Sequence, residues 1–200
     1  TLASGASKTI TGRSLTIPSN QAPGSYHIGV LADFANSVPE SNEGNNTAST
    51  KITVAKPDLV ISGSLSVTPT SIAAGKTVRV GAVTVKNSGE ASTGRAFYVG
   101  YYLSTDSRIT TSDKYLGRTT IKTLLKAGES KTVSSPPLTI PSSTTLGTYY
   151  VGVYADYGSG IGRVSESNEN NNYKSARLTV KAPAKPDLVI SGSLSVTPTT

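Results

Sequence analysis

GTYYVGVYAD, residues 147–156, alternates between two kinds of position. Tyr149, Val151, Val153 and Ala155 share one parity. An earlier stretch, GSYHIGVLAD at 24–33, carries Tyr26, Ile28, Val30 and Ala32 in the same places. The other parity varies freely, with Tyr150 standing where His27 does and Tyr154 where Leu31 does. Successive side chains of a strand point to opposite faces, so this is the pattern of a strand with one buried and one outward face.

The correspondence extends in both directions. Ser7-Lys8-Thr9 matches Ser130-Lys131-Thr132, and LTIPS at 15–19 matches LTIPS at 138–142, all at an offset of 123. Beyond the shared Asp the offset grows, and Glu40-Ser41-Asn42-Glu43 aligns with Glu166-Ser167-Asn168-Glu169. AKPDLVISGSLSVTPT occurs at 55–70 and again, unchanged, at 184–199. Self-similarity at a fixed period marks a repeat architecture. Three segments are expected: the C-terminal half of one repeat at 1–55, a complete repeat at 56–182, and the linker and first strand of a further repeat at 183–200. That division reads as a window onto a longer array. Completion of the half-repeats by exchange of strands between identical chains is a second possibility.

Within the complete repeat, Leu59, Ile61, Leu65 and Val67 share one parity. Val78 and Val80 point inward, then Val83 and Val85, and the change of parity at Gly81-Ala82 is that of a β-bulge. Phe97, Val99, Tyr101 and Leu103 form a third inward row. Ile121, Leu124, Leu125, Val133, Leu138 and Ile140 are further core candidates, and Ala176, Leu178 and Val180 supply the last strand. About seven short strands with no helical stretch predict an all-β fold, an immunoglobulin-like Greek-key sandwich in tandem repeats. Tyr26 and Tyr149, each just after a Gly turn, suit the tyrosine corner of such sandwiches. Pro57, Pro183 and Pro186 stiffen the linkers.

Composition agrees. The chain has 200 residues, 36% of them hydrophobic, and no Cys, Met or Trp. Without cysteine there is no disulfide framework and no thiolate metal site. The net charge of +7 comes from 19 basic and 12 acidic residues. The basic residues are dispersed rather than clustered as a phosphate backbone requires, which argues against a nucleic-acid partner. They leave room for attraction to acidic polysaccharide at a cell surface. No apolar run reaches membrane-spanning length.

PDLVISGSLSVTPTSIAAGKTVRVGAVTVKNSG, AGESKTV, LTIPS, GTYYVGVYAD and ESNENNN together resemble the CARDB domain, a cell-adhesion-related module of bacteria and archaea. The resemblance covers essentially the whole chain. It implies an extracellular β-sandwich repeat of a surface or secreted protein, with no shared enzymatic activity, and it supplies no ligand. The expected role is a structural or adhesive module of a surface protein or filament, with neighbouring repeats or identical chains as partners. The alternative is a polysaccharide-binding accessory module of a secreted enzyme.

Two constellations are candidates for binding. The loop before the last strand carries Asp33, Glu40, Asn42, Glu43 and Asn46 in the first copy and Asp156, Glu166, Asn168, Glu169 and Asn172 in the second. So many hard oxygen donors in a short loop are what Ca²⁺ takes, six to eight at a flexible site. The same residues also tolerate left-handed backbone and bond their own chain in a turn, which is the simpler explanation. An acidic loop at 104–113 is read as a solvated turn. On the outward parity, Tyr98, Tyr102, Tyr150 and Tyr154 could form an aromatic face for a sugar or a neighbouring subunit, or could simply pair across strands. Catalysis finds no constellation, since the single histidine, His27, is replaced by Tyr150 in the other copy. A Ca²⁺ site in these loops requires the melting temperature of the folded chain to rise in millimolar Ca²⁺ and to fall with chelator. An unchanged melting curve removes it.

Overall fold

The computed structural model describes residues 2–12, 14–157, 164–193, 195 and 197. Residues 24–54 form a two-stranded antiparallel hairpin, β1 (Gly24–Leu31) with β2 (Thr47–Val54). The strands of the complete sandwich follow. They are β3 (Leu59–Ser62), β4 (Val67–Thr68), β5 (Ser71–Ile72), β6 (Thr77–Val80), β7 (Val83–Asn87), β8 (Phe97–Ser104), β9 (Lys114–Ile121), β10 (Ser130–Val133), β11 (Leu138–Thr139), β12 (Gly147–Ala155) and β13 (Tyr173–Val180). The fold is all-β and immunoglobulin-like. No helix among the described residues is long and apolar enough to cross a membrane.

One layer is the five-stranded sheet β5-β13-β12-β8-β9, antiparallel except where β5 runs parallel to β13. The other layer consists of two ladders with the same strand order, β10-β7-β3 and β11-β6-β4. They adjoin at Gly81-Ala82, where the inward parity changes. Val78, Val80, Val83 and Val85 are all buried on either side of that break. The freed backbone groups find other partners. The Val80 amide donates to Ser135 Oγ and the Ser135 hydroxyl donates to the Val80 carbonyl, both at 3.0 Å, while the Gly81 amide donates to the Ser66 carbonyl at 2.9 Å. A parity change without such partners would leave buried polar groups unpaired, at about 1–3 kcal/mol each.

The core lies between the layers, with Leu59, Ile61, Val78 and Val85 facing Phe97, Val99, Tyr101, Val151, Val153 and Leu178. Fully burying a large aliphatic side chain is worth about 1.5–3 kcal/mol. Of Leu124 and Leu125, both expected in the core, Leu125 is buried but Leu124 is 49% exposed. The cause is local: the Thr93 amide donates to the Leu125 carbonyl at 3.0 Å and the Leu125 amide donates to Thr93 Oγ1 at 3.1 Å. These bonds turn residue 125 inward and residue 124 out.

The two copies of the sixteen-residue segment differ. In the first, Leu59 and Ile61 are 0% and 4% exposed within β3, which pairs with β7. In the second, Leu188 and Ile190 are 93% and 101% exposed, and no strand forms among the described residues of 184–197. Identical sequence thus adopts two states, because a strand needs a paired neighbour and a covered face.

Two mid-strand glycines shape the outward face of the five-stranded sheet. A Cβ on Gly152 would overlap the Ile109 side chain, so the loop 105–113 folds back onto β12 and buries Ile109. A Cβ on Gly100 would come within 2.6 Å of Tyr157 Cδ1, so the Tyr157 ring rests on β8. Gly152→Ala is expected to lower stability in urea denaturation by about 1–3 kcal/mol through overpacking. At Gly29, its counterpart in β1, an added Cβ meets nothing closer than 3.5 Å. Gly29→Ala should leave the urea midpoint unchanged or slightly raised.

Candidate functional site

The polar loop follows β12, and its turn chemistry is the same in both copies. Asp33 and Asp156 both have left-handed backbone, with φ of 42° and 52°. Asp33 accepts from the Ser37 and Val38 amides at 3.0 and 2.8 Å, and Asp156 Oδ2 accepts from the Val164 amide at 2.5 Å. The Glu40 amide donates to Glu43 Oε1 at 2.9 Å, as the Glu166 amide does to Glu169 Oε1 at 3.1 Å. Asn42 Oδ1 accepts from Gly44 and Asn168 Oδ1 from Asn170, at 2.9 and 3.1 Å. The carbonyls of Asn46 and Asn172 accept from Ala32 and Ala155, at 2.9 and 2.8 Å. Every oxygen-bearing residue of the proposed calcium set therefore has a place in a hydrogen-bonded turn. Among the described residues, no group of three or more His, Asp or Glu side chains is arranged to hold a metal ion.

In the second copy the loop also grips the root of its own domain. The Leu59 amide donates to Glu166 Oε2 at 2.5 Å, and Asn172 Nδ2 donates to Glu166 Oε1 at 2.7 Å. The Ser167 amide donates to the Pro57 carbonyl at 2.9 Å, and Asn171 Nδ2 donates to Asp58 Oδ1 at 3.0 Å. From the other side, Asn87 Oδ1 accepts from the Asp58 amide at 3.0 Å. PDL at 57–59 and ESNENNN at 166–172 are therefore two halves of one clasp. The Oδ1 atoms of Asn171 and Asn172 are buried without hydrogen-bond partners, so the clasp stabilises by less than its bond count implies.

Glu166 is buried at the centre of this clasp. Burial pushes its carboxyl up from 4.5 to about 8, assisted by the charges of Glu169 and Asp156 and opposed by the hydrogen bonds from Leu59 and Asn172. Desolvation disfavours the charged form more than two donors favour it.

The aromatic face differs from its expectation. Tyr102 lies on the outward parity but is 2% exposed, because Tyr115 and Tyr157 cover it with ring centroids 5.7 and 5.8 Å away. Burial raises its phenol well above the ordinary value, with the neighbouring Tyr157 next in effect. Tyr98 is half-buried, 6.2 Å from Tyr157 and beneath the Arg118 guanidinium at 4.4 Å. Tyr154 stacks on Tyr173 across the β12–β13 pair, at 6.3 Å and 17°. Tyr150 is half-buried opposite Ser104 and Arg177. The four residues are thus dispersed into two clusters and a single ring rather than one open platform. Tyr115, Tyr157 and Tyr173 were missed because each reaches the face through pairing or through Gly100, which alternation along one strand does not reveal. His27 is exposed on β1, opposite Lys51.

The CARDB family model matches residues 1–50 and 56–176. Among solved structures, the chain is similar to a CARDB domain from Pyrococcus furiosus, crystallised in complex with di-metal ions. The identity there is 22%, over 63% of this chain and 90% of that one, with a TM-score of 0.43. A solution NMR structure of the same domain gives 20%, 64%, 97% and 0.40. A β-glucosidase from Listeria innocua in complex with glucose is 19% identical over 66% of this chain, at a TM-score of 0.38, and only 17% of that chain is covered. No curated protein matches.

The carboxyl of Glu166 gives a pH dependence of defined sign. Between 4.5 and about 8 the folded chain holds a proton that the unfolded chain has released, so stability falls as pH rises through that window and levels off above it. Glu166→Gln should flatten that slope in urea midpoints measured across the window. Parallel slopes for wild type and variant would refute the assignment.

Proposed function

Because the chain belongs to the CARDB family, we propose that it is a non-catalytic structural and adhesive module displayed outside the cell, one unit of a tandem array. The observation that carries this reading is the duplication of a whole hairpin with its register. Gly24 pairs with Val54 and Tyr26 with Ile52, as Gly147 pairs with Val180 and Tyr149 with Leu178. Tyr26 Oη donates to the Ala22 carbonyl at 3.0 Å, four residues upstream, and Tyr149 Oη lies 2.8 Å from Thr145 Oγ1 across the same interval. Repeating units that keep the same turn, register and polar loop serve an array because each junction can then be built alike.

The clasp supports the same reading. It incorporates Pro57, Asp58 and Leu59 into the domain that follows, which leaves little free linker before it. Stability in such an array is a sum of unit and neighbour terms, so a cysteine-free chain gains from every junction that is fixed by hydrogen bonds. The partners in this reading are neighbouring repeats of the same kind.

Negative-stain electron microscopy of the full-length native protein tests it. Elongated particles or fibres with a regular spacing close to one or two sandwich domains are expected. Compact single particles carrying one or two such domains beside a catalytic body would overturn it. Those particles would instead favour an accessory module that contacts polysaccharide. In that case Tyr150→Ala with Tyr154→Ala should weaken retention on the polysaccharide at least several-fold in affinity electrophoresis.

A further inference from the structure

Tyr115 and Tyr157 have a relationship that the packing of the sheet does not require. Tyr115 sits on β9, the edge of the five-stranded sheet, and is 45% exposed. Tyr157 lies just past the end of β12, on the seat that Gly100 provides, and it meets Tyr102 edge-on at 84°. The Tyr157 hydroxyl donates to the Tyr115 hydroxyl at 3.1 Å, across 42 residues of sequence. The rings are 5.7 Å apart and inclined by only 34°, so they lie side by side with their oxygen ends together. The ring carbons ortho to each hydroxyl are bonded directly to the carbons that carry these two paired oxygens. Burial, with the hydrogen bond and charge of Tyr157 next, pushes the Tyr115 phenol up to about 12, so Tyr115 is a neutral phenol at ordinary pH.

We propose that Tyr115 and Tyr157 form an oxidative cross-linking site, in which a peroxide-driven one-electron oxidant joins the two rings ortho carbon to ortho carbon. Each phenol gives up one electron and one proton to become a phenoxyl radical. The two radicals combine in a new carbon–carbon bond, and each ring then moves its ortho hydrogen to oxygen and regains its aromatic phenol. One hydrogen peroxide accepts the two electrons and two protons and leaves as two waters. In the 2,2′-biphenol product the hydroxyls face one another, so the hydrogen bond already present survives the coupling.

The surroundings make the pair selective. Tyr102 touches both rings but is buried beneath them, so its phenol is shielded from an oxidant in solution. Tyr98 is 6.2 Å from Tyr157 at a 54° inclination and is covered by Arg118, a poorer geometry for joining ring carbons. The bond would tie the edge strand β9 to the root of the polar loop. In a chain with no cysteine it supplies the constraint on the unfolded state that a disulfide supplies elsewhere.

Treating the dilute, folded full chain with a haem peroxidase and hydrogen peroxide tests this. The expected product is a monomer lighter by two hydrogens, with dityrosine fluorescence and a single cross-linked peptide pair containing residues 115 and 157. Its melting temperature should rise. Tyr115→Phe and, separately, Tyr157→Phe should each reduce that product at least tenfold while far-UV circular dichroism stays unchanged, and Tyr98→Phe should not. Unfolding the wild-type chain in urea before oxidation should abolish the selectivity for this pair. An unchanged monomer mass, coupling found only between chains, or a cross-link that persists in both Phe variants would overturn the proposal.

Discussion

The covering of one sheet face by another is the interaction on which the remaining features rest. β12 keeps Val151, Val153 and Ala155 out of water in a core shared with the strands of the other layer, β3 among them. In the matching row on β1, Tyr26 and Ile28 are half-buried and Val30 and Ala32 exposed, and among the described residues β1 pairs with β2 alone. Hydrogen bonding along the hairpin is the same in both places. Burial differs, and with it the free energy of each strand, at about 25 cal/mol per Å² of apolar surface removed from water. The two copies of LVIS differ in the same way: one is a core strand, and the other is exposed and forms no strand among the described residues.

Given a covered face, polar groups can be placed where they do most. Leu59 opens the strand that covers β12, and its amide is the donor to Glu166. A carboxyl buried at that point is costly when charged, and two donors do not repay the desolvation. Neutral, it completes the hydrogen bonding of a strand end and an Asn amide that would otherwise be buried unpaired. The clasp is thus a device for ending a strand inside the protein without stranding its backbone.

Alternation along a strand revealed the inward residues well. Val78, Val80, Val83, Val85, Phe97, Val99, Leu103, Val151 and Val153 are buried where period two places them, and the parity change at Gly81-Ala82 marks the junction of two ladders. The failures have a common cause in long-range approach. Leu124 and Leu125 cannot be ordered without the bonds from Thr93. Tyr102 looked exposed because neither Tyr157, seated on Gly100, nor Tyr115, set by a register shift in the β8–β9 ladder, is visible within β8. The polar loop was readable as turn chemistry, since Asp33 and Asp156 both take the left-handed backbone that such residues tolerate. Its grip on Pro57 and Leu59 was not, because Glu166 and Leu59 are 107 residues apart.

That grip also governs how the domain answers a mechanical load. A pull on the chain toward its N-terminus arrives at Lys56, whose carbonyl accepts from the Glu90 and Ala91 amides, and passes at once to the bonds at Pro57, Asp58 and Leu59. These lie on three separate segments, around residues 87–91, 166–167 and 171. A pull there meets all of them before it reaches the β3–β7 ladder. The N-terminal end of the domain is therefore tied down by bonds to three segments at once.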